Sequence, residues 1–248
     1  VQTCALPIWG LTRILAYKET TGKYGFDRDR RVIAWSKKNN VPFVELNQNG
    51  VKRGREYRET GFHFDHYLSW ACSTELCSWP HSVMTERPSS EIWQKWPIDV
   101  AFEKTTQELQ SYISDKDKPL RLKGGRSQAQ ELKNSFFTQT RLTEYPGSIS
   151  SPNTAVTGCS RISPYLAYGI VSQRELVQHA VKFGNLEKLS ITKDQNVQLP
   201  GFTEGVRFFL ERLYWRSAFL QRFELNPRIE TEIEDSRMLG LREQEFED

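Results

Sequence analysis

Cys159-Ser160-Arg161-Ile162-Ser163-Pro164-Tyr165-Leu166-Ala167-Tyr168-Gly169 is the stretch on which the reading of this chain turns. Ser160, Arg161 and Ser163 gather at an expected helix start, with Pro164 just inside it. Proline suits a first helical turn because its missing N–H would have no partner within the helix there. Hydroxyls at such a cap can satisfy free backbone donors, and the N-terminal end of a helix favours an anion. Arg161 adds a planar cation suited to phosphate or carboxylate. The stretch reads as a socket for a phosphorylated ligand. The same residues would also serve a plain capped helix with a solvated arginine.

A second stretch, Phe208 to Phe223, answers the first. Val206, Phe209, Leu210, Leu213, Trp215, Phe219, Leu220 and Phe223 recur at mixed three- and four-residue steps, which predicts a helix with a broad apolar face. Arg212, Trp215 and Arg216 stand three and four residues apart and so share one side of it. A tryptophan between two guanidiniums can stack a base and neutralise a backbone. A core tryptophan with snorkelling arginines fits the same pattern.

Ser160-Arg161-Ile162-Ser163-Pro164 followed by Arg212-Leu213-Tyr214-Trp215-Arg216 resembles the flavin-domain signature of the photolyase/cryptochrome family, in its bacterial branch. There a Ser-Arg-Leu-Ser-Pro-type segment precedes a helix carrying Glu-Leu-x-Trp-Arg, and a helix expected over Ser172 to Val181 fits between them. Two motifs in order are more specific than either alone. The resemblance implies that Cys159, Ser160, Arg161, Ile162 and Ser163 hold the pyrophosphate side of FAD, with Phe209 beside the flavin. Tyr145 resembles a tyrosine that contacts FAD. Trp215 would contact a flipped-out pyrimidine lesion and is the catalytic candidate, and Arg212, Trp215 and Arg216 would face damaged DNA. One position departs from the pattern. Where repair enzymes for cyclobutane dimers carry a glutamate, this chain has Arg212, which offers donors in place of acceptors.

The fold class expected is mostly α: an incomplete α/β (Rossmann-like) N-terminal remnant, a linker, then the first half of an all-helical FAD-binding domain. Residues 10–70 would be the end of the α/β domain, 71–118 the interdomain linker, and 119–248 the N-terminal half of the flavin domain. Ile14 to Tyr17 reads as a strand, Arg28 to Lys38 as a helix with Val32, Ile33 and Trp35 inward, and Val41 to Leu46 as a second strand. This unit implies parallel pairing. Thr20 to Gly25 and Asn49-Gly50 read as turns, and Tyr57 to Trp70 as one helix. A further helix is expected over Ser127 to Phe137, with Ala129, Leu132 and Phe136 inward. Tyr145 to Val156 reads as a loop, as does Asn185 to Gly205.

Composition is that of a globular chain, with 248 residues, 38% hydrophobic and 12% aromatic. The net charge of +3 is too small to name a nucleic-acid partner by itself. Cys4, Cys72, Cys77 and Cys159 show no metal-ligand spacing, so a reduced, cytoplasmic protein is expected. His63 and His66 are three apart, but no third ligand type completes a site, and no metal is expected. No apolar run reaches transmembrane length. Residues 1–9, with Cys4-Ala5-Leu6-Pro7-Ile8, resemble a translated sequencing adaptor and are set apart from the fold.

Three functions follow. The first is a light-driven, FAD-dependent photolyase that repairs pyrimidine dimers by electron transfer to a flipped-out lesion, extrusion being easiest at damaged bases. This chain would be an internal, monomeric fragment of it, inactive alone, and the complete protein could hold an antenna chromophore of folate or deazaflavin type. The second is a cryptochrome-like blue-light sensor that binds FAD without repair. The third is a non-catalytic helical binding module.

Overall fold

The computed structural model describes residues 12–20, 22–76, 105, 107–110, 121–186, 201–234 and 237. The expected adaptor segment (1–9), most of the 71–118 linker, residues 187–200 and most of the tail lie outside the described residues.

Two short strands, β1 (Ile14–Tyr17) and β2 (Phe43–Leu46), pair in parallel, with Ile14 opposite Phe43 and Tyr17 opposite Leu46. Helix α1 (Lys23–Lys38) makes the crossover between them, as parallel pairing requires. It begins earlier than the charge pattern indicated, because residues Lys23 to Asp27 form its first turn and tie Lys23 to Asp27 in an i,i+4 ion pair of 2.6 Å. Its buried positions are Gly25, Asp29 and Ser36, while Val32, Ile33 and Trp35 are only half-buried.

The single helix expected over 57–70 is two helices, α2 (Gly54–Thr60) and α3 (Phe64–Cys72). The break is at Gly61, whose φ of 63° is a backbone conformation that glycine adopts without a Cβ clash. His63 then precedes α3, with its ring 6.4 Å from that of His66.

The helical part continues with α4 (Arg126–Phe136), α5 (Gln139–Ser148), the single-turn α6 (Ala155–Gly158) and α7 (Ser163–Ala167), then α8 (Gln173–Phe183) and the long α9 (Gly201–Leu225). Thr138 caps α5 by accepting from the Arg141 N–H, and Ser172 caps α8 by accepting from the Glu175 N–H at 3.1 Å. The segment Tyr145 to Val156, expected as a loop, instead carries the end of α5 and the start of α6, and the helix runs through Pro146. The loop expected to reach Gly205 gives way to helix at Gly201.

The core lies where α9 crosses α5, α8 and α3. Leu142, Leu176, Val177, Val206 and Leu210 are fully enclosed, and Phe136, Tyr145 and Phe209 form a close aromatic group at 5.1–6.2 Å between ring centroids. Ala129 and Phe136 point into it as expected, and Leu132 is half-buried.

The α/β unit docks on the C-terminal half of α9. Gln221 bonds the Lys52 backbone twice, accepting its N–H at 2.8 Å and donating to its carbonyl at 2.9 Å. Arg53 pairs with Glu224 at 3.0 Å and Glu45 at 3.3 Å, and its guanidinium lies 4.9 Å from the Phe26 ring. Burial raises the Glu224 carboxyl above its ordinary range, against the pull of Arg53. Among the described residues no helix is long and apolar enough to cross a membrane.

Candidate functional site

Helix α9 decides what reaches the site. Its buried stripe is Val206, Phe209, Leu210, Leu213, Ser217 and Gln221. Trp215 and Phe219, assigned to the apolar face from periodicity, are instead 50% and 60% exposed. The reason is that two polar residues hold stripe positions. Ser217 donates to Gln173 Oε1 at 2.7 Å and Gln221 grips Lys52, so both are satisfied inside and apolar side chains turn outward. Trp215 lies about 200° around the helix from Leu213, at about 100° per residue. Its ring sits 5.9 Å from Tyr214 and 6.2 Å from Phe219.

Across from α9, the socket stretch turns a corner. Arg161 takes φ 54°, a left-handed backbone that non-glycine residues rarely adopt. Helix α7 then starts with Pro164 in its first turn, as expected. The expected hydroxyl cap is absent: the residue before α7 is Ile162, and no side chain caps it. With only five residues, α7 offers little dipole, so any anion affinity rests on the side chains. The corner is held from behind by Arg141 of α5, a residue the sequence reading did not single out. Its Nη2 donates to the Cys159 carbonyl at 2.8 Å and its Nη1 donates to Ser135 Oγ at 3.0 Å, with the guanidinium 5.5 Å from the Phe136 ring. Nothing in spacing marks Arg141; only the tertiary fold brings it to residue 159.

Between the corner and α9 lies a cleft of about 720 Å³. Tyr145, Cys159, Ser160, Arg161, Ile162, Ser163, Phe209, Arg212 and Arg216 all line it, together with Ile149, Ala155, Val156, Leu166, Ala167 and Leu213. The latter six were not anticipated, and they carry only the generic signal of apolar residues beside the motifs. Every expected cofactor residue is therefore at one cleft, and so are two of the three expected DNA-facing residues. Trp215 is not among the lining residues.

The chemistry of the lining is lopsided. Three arginines and two serine hydroxyls meet an apolar floor of Tyr145, Phe209 and Leu213, and among the described residues no carboxylate lines it. Arg212 is exposed and its guanidinium lies 4.6 Å from the Phe208 ring. Arg216 is half-buried, and desolvation lowers its pKa from the ordinary value. Burial, helped by Cys159 and opposed by Arg212, pushes the Tyr145 phenol well up, so it is a neutral hydrogen-bonding group at physiological pH. Such a surface suits a ligand with an anionic segment and a flat apolar one, and its volume is that of a small-molecule site. Among the described residues no cluster of His, Cys, Asp and Glu could hold a metal ion.

No protein-family model matches the sequence, and no curated protein does. Among solved structures, the fold is similar to a crystal structure of a bacterial class III photolyase from Agrobacterium tumefaciens, with a TM-score of 0.55 at 13% sequence identity. The match covers 96% of this chain and 46% of that one, so the chain spans about half the length of that structure. The fold is thus photolyase-like: mostly helical, with a small parallel sheet at one end.

Proposed function

We propose that this chain supplies the flavin-binding cleft of a light-driven, FAD-dependent protein that repairs pyrimidine dimers in DNA, in the manner of a deoxyribodipyrimidine photolyase. The observation that carries the reading is the convergence of the Cys159–Ser163 corner and the Arg212–Arg216 turn of α9 on one cleft lined by arginines and no carboxylate among the described residues. The donor set fits FAD. Arg161, Ser160 and Ser163 are the groups for its pyrophosphate, as charge-assisted donors to a dianion, and Tyr145, Phe209 and Leu213 offer apolar surface to its ring system. When bound, FAD would supply the light absorption and the one-electron chemistry. The residues of the chain bind it, exclude water from its apolar face and present Arg212 and Trp215 to the strand. Residues 10–70 and 119–248 remain the proposed domain limits, and a second, antenna chromophore belongs to the same proposal.

Arg212 favours a second reading. It stands where the resemblance expects a carboxylate acceptor for lesion bases, so a blue-light sensor that binds FAD without repair follows from the same cleft.

The test is the visible spectrum of the chain purified from a flavin-replete host, followed by a dimer-repair assay of the complete protein under blue light. Vibronic flavin bands that survive gel filtration, with repair, support the photolyase reading. Bound flavin in the complete protein without repair of any dimer type moves the assignment to the sensor, and a complete protein that folds and binds no FAD overturns both.

A further inference from the structure

Arg216 is the cleft residue that also touches the α/β unit. Its Nη1 donates to Asn49 Oδ1 at 3.2 Å, and among the described residues that neutral amide, not a carboxylate, is its hydrogen-bond partner. Asn49 in turn donates through Nδ2 to Thr20 Oγ1 at 3.1 Å, and Thr20 is 1% exposed. The asparagine is held rigidly. It takes φ 57° and is followed by Gly50 at φ 69°, a left-handed pair that asparagine and glycine tolerate best. Gly50 is wedged against α3, where an added Cβ would meet the Trp70 ring at 3.1 Å and the Tyr67 ring at 3.2 Å. One tight turn, packed on α3 and tied to β1's flank, therefore carries a single amide oxygen to a half-buried arginine of the cleft.

We infer that Asn49 is a positioning residue for the cleft: its neutral amide orients the Arg216 guanidinium and leaves its charge for an anionic ligand. A carboxylate in that place would orient the arginine equally well and neutralise it. An amide fixes geometry while leaving the net positive charge in place, which is what an arginine that must meet a phosphate requires. The inference rests on the cofactor reading above and deepens it, since it names how the α/β unit contributes to ligand affinity.

The experiment compares Asn49→Asp with the wild-type chain for binding of FAD, of inorganic pyrophosphate and of riboflavin, which has the flavin ring and no phosphate. Asp is isosteric, accepts the left-handed turn, and can accept from the rotatable Thr20 hydroxyl. FAD and pyrophosphate binding are expected to weaken about tenfold, the equivalent of about 1.4 kcal/mol, while riboflavin binding is unchanged. In an Arg216→Gln background the Asn49→Asp effect is expected to vanish, because the two act through one another. Should N49D fail to fold, Asn49→Gly keeps the turn, removes the amide, and is expected to weaken FAD while sparing riboflavin. Equal losses for FAD and riboflavin, or an N49D effect that persists without Arg216, would overturn the inference by showing that Asn49 serves only the fold. Tight FAD binding left unchanged by N49D overturns it while the cofactor reading stands. A wild-type chain that binds neither FAD nor pyrophosphate overturns both.

Discussion

Gly205 packs so closely on Leu142 that a β-carbon added to it would lie 1.8 Å from the Leu142 carbonyl oxygen. That carbonyl lacks its usual helical partner, because the residue four positions on is Pro146, which has no N–H. A freed carbonyl in α5 and a bare backbone in α9 let the two helices touch along their main chains. This approach sets Tyr145 against Phe209, 6.2 Å apart, and so fixes the floor of the cleft. Gly205→Ala is expected to cost about 3 kcal/mol, at the upper end of overpacking, since backbone cannot rotate out of the way. Thermal melting checks it, and an unchanged melting temperature would show that α5 and α9 separate freely.

Arg161 separates backbone strain from side-chain chemistry. Its left-handed φ of 54° carries a strain of about 1 kcal/mol in any residue with a Cβ. Arg161→Gly relieves the strain and removes the guanidinium. It is expected to melt above Arg161→Ala, which loses the same side chain and keeps the strain, and to lose FAD affinity about tenfold or more, as the loss of one charge-assisted contact implies. Arg161→Ala should lose the same affinity without the gain in stability. An Arg161→Gly variant that binds FAD as the wild type does would remove this residue from the cofactor site.

A buried polar node joins α3, α8 and α9. Gln173 Oε1 accepts from the Tyr67 hydroxyl at 2.9 Å and from Ser217 Oγ at 2.7 Å, and all three residues are 3% exposed or less. Burial pushes the Tyr67 phenol well above its ordinary value, opposed by the neighbouring Ser217 hydroxyl and by Arg216. Gln173→Leu would strand two buried hydroxyls and is expected to destabilise by about 2–6 kcal/mol, each unsatisfied group costing about 1–3 kcal/mol. Denaturant midpoints measure it, and a change under about 0.5 kcal/mol, the usual ceiling for a surface site, would show that the node is wet.

How far the sequence discloses this molecule depends on whether a signal is local. The socket stretch and the α9 motif are local and sit at one cleft in the structure, and the strand–helix–strand order is legible because apolar runs and turns alternate there. Three features were not legible. Pro146 reads as a helix stop, yet α5 runs two residues past it, and the Leu142 carbonyl it leaves without an N–H faces Gly205, 59 positions after the proline in the chain. Ser217 and Gln221 look like solvent positions until Gln173 and Lys52 are seen to meet them, so Trp215 and Phe219 were turned the wrong way. Arg141 supports the Cys159 corner through a contact no spacing rule encodes.

His179 gives the fold a pH dependence above the carboxylate range. Desolvation, with Lys133 and then Lys182, lowers its pKa below the ordinary 6.5, and Glu175 opposes the shift only in part. The lowered folded value means that the unfolded chain binds the proton more readily. Stability is then full above about pH 6.5 and falls as the pH drops through the folded-state value of His179. Glu175 is also shifted down, on balance, by Arg126, Gln130 and Lys133 against its burial, so its contribution is lost at lower pH still. Melting temperatures measured from pH 7.5 to 5 should decline for the wild type, and His179→Gln should flatten the curve over that range. A decline that persists unchanged in H179Q would assign it to other groups.

Trp215 and Arg212 test whether the proposed strand-facing surface is distinct from the proposed cofactor cleft. Trp215 is half-exposed, lies outside the cleft and touches only Tyr214 and Phe219 among the described aromatic rings. Its removal should therefore leave folding and flavin affinity alone. If it stacks on a base, Trp215→Ala is expected to weaken binding of dimer-containing DNA by about 1–3 kcal/mol, with Trp215→Phe retaining most of the affinity. Arg212 is exposed at the cleft edge and would act on the backbone charge instead. Arg212→Ala should weaken damaged and undamaged DNA alike and reduce the salt slope of binding by about one. Fluorescence anisotropy at several salt concentrations reads both effects. Equal loss of flavin in W215A would place the tryptophan in the cofactor site, and an unaltered salt slope in R212A would remove Arg212 from the DNA contact.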